Sequence, residues 1–365
     1  MSKQLGISIY PEKTTDAENM AYIDLAAKYG YSRIFTCFLS PELSKEELLA
    51  NYQPLIAYGN QKGMATYVDV YASFFAKMGI ELDDLSFFQE LGAAGFRLDR
   101  SFSGSEEALM SYNPEKLLIE VNLSNDTSYV SNILDFEPNK EQIVGCHNFY
   151  PQAYTGLDED FFIETTRKFH EKGLHTAAFV TSQGAQYGPW DISEGQPTLE
   201  RDRYLPMELQ ARAMWACSEI DDIIVGNAFA SESELKALAL INPNVVTLTI
   251  ELADKLSPIE EAICFDVLHF QRGDISNYMV RSTTPRSKYQ KQVIAENPRQ
   301  QKIQRGDIVI ANQSYGIYAG ELQIALKERE NQGQWNVIGR IPQEEAFMMA
   351  YITPWKKFKF RKDVS

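Results

Sequence analysis

Three consecutive pieces of the chain decide its architecture: RIFTCF at residues 33–38, SKEELLANYQPLIAYGNQKG at 44–63 and ATYVDVY at 65–71. The first and third are short apolar runs of strand length. Between them, Ser44-Lys-Glu-Glu47 forms a capping box that opens a helix, and Gly63 stands where that helix must stop. Together they make one strand–helix–strand unit.

The same rhythm extends in both directions over residues 1–230. Apolar runs fall at Leu5–Tyr10, Arg33–Phe38, Ala65–Tyr71, Phe96–Asp99, Leu117–Leu123, Ile143–Phe149, Thr176–Thr181 and Ile223–Asn227, with helix-like amphipathic stretches between them. Ser103-Gly-Ser-Glu106 and Ser231-Glu-Ser-Glu234 are further helix starts, and Gly30, Gly95 and Gly173 are further helix ends. Eight strand–helix units in about 240 residues predict an α/β fold, a (β/α)₈ TIM-like barrel. A doubly wound open sheet is the rival. It usually has fewer strands and needs a switch-point loop, and neither such a loop nor a G-x-G-x-x-G run is present.

From about residue 260 the pattern changes. Ala262–Phe270, Tyr278–Thr283, Gln301–Ala311, Gly320–Lys327, Trp335–Ile341 and Phe347–Pro354 read as strands separated by Gly-, Asn- and Pro-containing turns. The expected division is a barrel over 1–253 and a small, mainly β closed barrel over 259–365, with a linker near Leu252–Pro258. Charge supports two units of different character: residues 1–240 hold 18 basic against 36 acidic side chains, and residues 241–365 hold 17 against 14.

Composition narrows the function. The 365 residues are 44% hydrophobic, 23% charged and 12% aromatic, which is ordinary globular usage. A net charge of -15 argues against nucleic acid or an anionic membrane as partner. No run of 18 apolar residues suggests a membrane span. MSKQLGISIYPE has neither the apolar core nor the cleavage site of a signal peptide, and Cys37, Cys146, Cys217 and Cys264 are far apart with no Cys-x-x-Cys. Both features point to a cytoplasmic protein with reduced thiols.

In such a barrel the outward side chains pack under helices, so polar residues of the opposite parity face inward. Phasing the first strand this way puts Ser8 and Tyr10 inside, with Glu12 just beyond. The third strand contributes Tyr67, Asp69 and Tyr71, the fourth Arg97 and Asp99, and the fifth Leu118, Glu120 and Asn122. The second strand and the last three cannot be phased. Four carboxylates, Glu12, Asp69, Asp99 and Glu120, are therefore expected near the C-terminal mouth, where barrel enzymes place their chemistry. Strands about 4.8 Å apart bring adjacent pairs roughly to the 5–5.5 Å spacing of a retaining glycosidase. Asp99 and Glu120 are the expected acid/base and stabilising pair, with Asp69 and Glu12 as further candidates. The plainer reading of these acids is an Asp99–Arg97 pair and Glu12 capping the helix near Thr15.

Tyr10, Tyr71 and the run His147-Asn-Phe-Tyr-Pro-Gln152 cluster at the same end. Of these, Tyr10, Tyr71, His147, Asn148 and Tyr150, together with Arg97 and Asn122, are candidate substrate-binding residues, although aromatics near strand ends are often core. The Gly- and Pro-containing stretch Ser182–Leu205, with Trp190, is long enough to be a substrate loop or only a surface insertion. His170-Glu-Lys-Gly-Leu-His175 has its histidines five apart and a glycine between them, so no metal site is expected. In the β domain, Arg281-Ser-Thr-Thr-Pro-Arg286 suits a phosphate or carboxylate.

GISIYPE, TCFL, GFRLD (Gly95–Asp99), HNFYPQ and RSTTPR, in this order, resemble the MupG-like 6-phospho-N-acetylmuramidases, once described as outer surface proteins of unknown function. The resemblance covers essentially the whole chain. It implies a barrel followed by a cyclophilin-like β domain and no cofactor. The implied activity is that of a cytoplasmic glycosidase of cell-wall recycling. Such an enzyme releases 6-phospho-N-acetylmuramic acid from the non-reducing end of its disaccharide with N-acetylglucosamine. It does not fix which carboxylate acts in which role, and retaining, inverting and substrate-assisted mechanisms stay open. A strongly acidic barrel needs local cations for a phosphorylated substrate, so Arg281 or Arg286 is expected to hold the phosphate. Two alternatives remain: a sugar-phosphate lyase or isomerase on the same scaffold, and a non-catalytic carbohydrate-binding protein.

Overall fold

The computed structural model describes residues 3–363 apart from Pro41, Ala72, Ser101, Asp126, Thr127, Ser193, Ser218, Gln290, Pro298 and Arg299. One compact unit runs to Ile241 and another starts at Asn242. The first is the expected barrel. Its strands are β1 (Leu5–Ser8), β2 (Arg33–Cys37), β3 (Ala65–Val70), β4 (Gly95–Leu98), β5 (Leu118–Asn122), β6 (Ile143–Cys146), β7 (His175–Val180) and β8 (Asp222–Val225). All pair in parallel, and β8 closes onto β1. Each of the eight apolar runs is a strand.

The outward parity of the central strands is as the alternation requires. Val68, Phe96, Ile119 and Val121 pack in one core with Leu48, Tyr52 and Ile56 of the helix Lys45–Gln61 and with Phe87 and Phe88 of Ser86–Leu91. Ser44 caps the first of these helices, and its partner Glu47 returns a bond to the Ser44 amide at 2.8 Å. A Cβ on Gly95 would lie 2.3 Å from the Leu118 carbonyl oxygen, so only glycine lets β4 and β5 approach here. Inside the barrel, Phe35, Cys146, Ala177, Phe179 and Ile224 form an apolar sector on β2 and β6–β8. The charged side chains of β3–β5 face that sector.

The second unit is mainly β. It contains β9 (Val246–Leu252), β10 (His269–Phe270), β11 (Met279–Ser282), β12 (Lys302–Ile303), β13 (Asp307–Ala311), β14 (Leu322–Ala325), β15 (Arg329–Glu330), β16 (Trp335–Arg340) and β17 (Lys357–Lys362). Seven of these form one sheet in the order β10-β17-β9-β16-β13-β14-β11, while β12 pairs with β15. One backbone bond, from Arg272 N to Arg281 O at 3.1 Å, links the segment after β10 to the far edge strand. The expected closed barrel is thus a sheet that curls until its edges meet at a point.

Three readings of this region need correction. β9 belongs to this sheet, so the division falls near 241–242 and earlier than the expected 253. Ala262–Phe270 begins in the helix Pro258–Phe265, opened by a Ser257–Glu260 capping box that outweighs the apolar content, and only His269–Phe270 of it is strand. Phe347–Pro354 is largely 3₁₀-helical, and the last strand is instead Lys357–Lys362, whose alternating lysines hid it.

Candidate active site

Strand register builds the site. Asp69 on β3 lies beside Arg97 on β4, and Arg97 lies beside Glu120 on β5. Neighbours in a parallel register point to the same side of the sheet, so all three face inward. Arg97 is the hub. Its Nη1 donates to Asp69 Oδ1 at 2.7 Å and lies 3.8 Å from Asp99 Oδ1. Its Nη2 donates to Asn148 Oδ1, and its Nε is 3.9 Å from Glu120.

Asp69, Arg97, Asp99 and Asn148 border a cavity of about 470 Å³. Phe149, Pro151, Gln152 and Thr155 after β6, and Trp190 and Ile192 after β7, complete its wall. The Trp190 ring leans on Phe149 at 5.8 Å and 46°. Charge on one side and aromatic surface on the other is the lining that a sugar needs. Burial raises the Asp69 carboxyl to about 6 despite the opposing Arg97 charge, and the nearby Asp99 and Glu120 charges add to the rise.

Glu120 does not reach this cavity. It is fully buried and paired with Arg33, whose Nη1 also bonds Asp222 at 2.9 Å. The Arg33 guanidinium lies 4.1 Å from the centre of the Tyr67 ring, and His175 Nε2 is 2.9 Å from Asp222. The expected Asp99–Glu120 pair is therefore not assembled at one surface. Its place beside Arg97 is taken by Asp69 and Asp99. Arg33 is the residue that sequence reasoning missed, because β2 offered no clear parity.

The other candidates divide in the same way. Glu12 is held by its neighbours, accepting from the amides of Leu39 and Ser40 at 2.9 and 3.3 Å and from the Tyr52 hydroxyl at 2.5 Å. These bonds hold its carboxyl below the usual range against the effect of burial, and they pin the loop after β2. Helix Asp16–Lys28 is capped by Thr15 with Glu18, so Glu12 has no part in that cap. Tyr10 is buried, its hydroxyl bonded to Gly226 O at 2.5 Å and Gln196 at 3.2 Å. Tyr71 packs edge-on against Phe74.

His147 is buried between Ser124 and Thr166, at 3.2 and 3.0 Å. Burial and the Arg97 charge depress it to about 3, so it stays neutral and structural. Asn122 donates to Asp99 O at 3.3 Å and accepts from Ser124 N at 2.8 Å, which shapes the loops behind the cavity. Tyr150 is half-buried, and its amide bonds Pro197 O at 3.0 Å. Of the predicted residues, Asp69, Arg97, Asp99 and Asn148 come together at the cavity.

The stretch Ser182–Leu205, described except for Ser193, is anchored. Buried Arg203 donates to the carbonyls of Tyr150 and Glu194, both at 2.9 Å, and Thr198 N bonds Phe179 O at 3.0 Å. Its tip, with Trp190 and Ile192, is exposed, as are Tyr187 and Tyr204. In the second unit, Arg281 makes a two-pronged pair with Glu321 at 2.8 and 2.9 Å. Arg286 lies on the short helix Thr284–Tyr289, 3.8 Å from the same carboxylate. Among the described residues, no helix is long and apolar enough to cross a membrane.

A parallel barrel with two carboxylates around one arginine at its C-terminal mouth, beside an aromatic wall, has the place and the lining of a barrel enzyme's site and could accommodate a sugar. Models of the N-terminal and C-terminal parts of 6-phospho-N-acetylmuramidase match residues 5–240 and 246–361, and the chain belongs to this family of glycosidases. Among solved structures, an uncharacterized Bacillus cereus protein is 44% identical, with a TM-score of 0.91 over 99% of this chain and 100% of that one. A conserved Enterococcus faecalis protein of unknown function is 24% identical with a TM-score of 0.69 over 99% and 97%, which speaks for the fold alone. No curated protein matches the chain.

Proposed function

We propose that the protein hydrolyses the disaccharide of 6-phospho-N-acetylmuramic acid and N-acetylglucosamine, releasing the phosphorylated sugar from the non-reducing end during cytoplasmic cell-wall recycling. The observation that carries this reading is the Asp69–Arg97–Asp99 group on the wall of the barrel-mouth cavity, in a chain of the muramidase family. Asp69, raised to about 6, keeps a protonated fraction near neutral pH and gives its proton to the glycosidic oxygen as the bond to the sugar C1 breaks. Asp99 is half-exposed and reaches the same cavity. It orients the water that adds to C1, or the N-acetyl group in a substrate-assisted route. Phe149 and Trp190 cover a sugar face.

The substrate's phosphate needs a cation. Arg281 and Arg286, expected to supply it, both face Glu321 within the β unit, and the proposal does not rest on them. Incubation of purified protein with the 6-phosphorylated disaccharide should release N-acetylglucosamine, and the unphosphorylated disaccharide should react poorly. Absence of release from either would refute the reading and return the lyase, isomerase and pure-binder alternatives to the fore.

A further inference from the structure

A cavity of about 640 Å³ in the β unit opens on one face of its sheet. Register puts Arg281 of β11 opposite Gln323 of β14, and Ala311 of β13 opposite Trp335 of β16. The polar side of the cavity is a chain of bonds. Arg281 donates to Glu321, Gln323 Nε2 donates to Glu321 Oε1 at 2.7 Å, and Arg329 Nη2 donates to Gln323 Oε1 at 2.6 Å. Trp335, with Tyr315 edge-on at 5.1 Å, forms the apolar side.

Charge along this chain does not balance. Arg281 and Glu321 neutralise each other, and Gln323 is neutral, so its amide is held at both ends by bonds that bring no anion to Arg329. Among the described residues Arg329 has no carboxylate partner. Its Nη1 has only the Met279 sulfur at 3.8 Å, its Nε is buried without a partner, and its guanidinium lies 5.2 Å from the Trp335 ring centre. Burial lowers its pKa, outweighing the opposing influence of Tyr315 and Glu321. Of the acids at the rim, Asp274 is bonded to Arg272 at 2.7 and 3.0 Å, while Glu330 is exposed, 4.0 Å from a Lys302 that bonds Glu328, and makes no pair with Arg329. A fixed, half-buried guanidinium beside an aromatic wall recognises an oxyanion carried on a ring that can stack.

We propose that this cavity is a second binding site, for an acidic saccharide, in which Arg329 holds the oxyanion and Trp335 with Tyr315 covers a sugar face. The oxyanion is a phosphate ester or a carboxylate, since both satisfy a guanidinium in the same way. The site lies wholly within the β unit, so it stands or falls separately from the barrel reaction.

The test is hydrogen–deuterium exchange on the full chain with four probes: N-acetylglucosamine 6-phosphate, N-acetylmuramic acid, neutral N-acetylglucosamine and inorganic phosphate. At least one acidic sugar should protect peptides around Tyr315 and Arg329–Trp335, and the one that does so identifies the oxyanion. The neutral sugar should protect them roughly ten- to a hundredfold more weakly in concentration, the range of one charge-assisted bond. Arg329→Gln should abolish the difference between acidic and neutral sugars. Protection confined to barrel peptides, or equal for all probes, would overturn the proposal using the wild-type protein alone. So would unchanged protection in Arg329→Gln. Protection by phosphate as strong as by the acidic sugars would remove the saccharide from it.

Discussion

Arg33 and Arg97 both point into the barrel, from neighbouring regions of one interior, and both are almost wholly buried. Arg33 lies between Glu120 and Asp222, neither more than 1% exposed. Arg97 lies between Asp69, 19% exposed, and Asp99, 50% exposed. Each is an arginine between two carboxylates, and the surroundings differ. The Arg33 group is closed, and its charges have no route to a ligand. The Arg97 group ends on a cavity, so its carboxylates stay available for proton transfer. Counting acids on inward parity cannot separate the two, because parity reports which side a residue faces and says nothing of how deep it lies. Glu120, 3.9 Å from Arg97, marks the border between them.

The sharpest way to break the comparison is Asp69→Asn. If the open group carries the reaction, kcat/KM should fall by about 10²- to 10⁴-fold, the usual worth of a positioned general acid. Wild-type kcat/KM should decline as pH rises through about 6, where Asp69 loses its proton, and the variant should lack that limb. Stability should follow pH in the same direction. The Asp69 pKa of about 6 lies above the ordinary 3.8, so the folded state holds the proton more tightly than the unfolded state does. That contribution is complete below about 4 and is lost as pH rises through about 6. Asp69→Asn should therefore melt no lower than wild type at pH 8. A variant that is both inactive and much less stable would place Asp69 in the closed group instead.

Glu120→Gln tests the other half. It leaves Arg33 and Asp222 without their third partner, and breaking a buried pair costs about 3–5 kcal/mol. The expected result is a much lower urea midpoint, with kcat per folded molecule close to wild type below the transition. A loss of kcat with the urea midpoint unchanged would show that Glu120 acts in the reaction despite its burial.

How much was legible beforehand follows from the same contrast. Eight apolar runs with capping boxes and glycine stops are local signals, and each became a strand of the barrel. Asp69, Arg97 and Asp99 were readable because β3 and β4 alternate cleanly against an apolar outer face. Asn148 and Trp190 lay in stretches marked by composition and loop length. Arg33 was not readable: its strand, RIFTC, is buried at every position, so no polar and apolar faces separate. Its partners Glu120 and Asp222 lie 87 and 189 residues away, and only closure of the barrel brings them together. The β domain was read less well, because a capping box turned one apolar run into a helix and alternating lysines masked the last strand.

The smallest expected effect concerns the wall opposite the carboxylates. Trp190 is exposed at the tip of an otherwise anchored loop and leans on Phe149 across the cavity edge. It touches none of the groups around Arg97 that the mechanism uses. Its contribution is contact with a sugar face, present alike in the bound substrate and in the transition state, so removing it weakens both equally. An aromatic contact of this kind is worth about 0.5–1.5 kcal/mol, or roughly two- to tenfold in binding. Trp190→Ala should accordingly raise KM by that factor, leave kcat within about twofold, and keep the pH limb near 6. A fall in kcat with KM unchanged would mean that the loop tip acts on the open carboxylate group itself, and the division between a chemical side and a binding side of this cavity would have to be withdrawn.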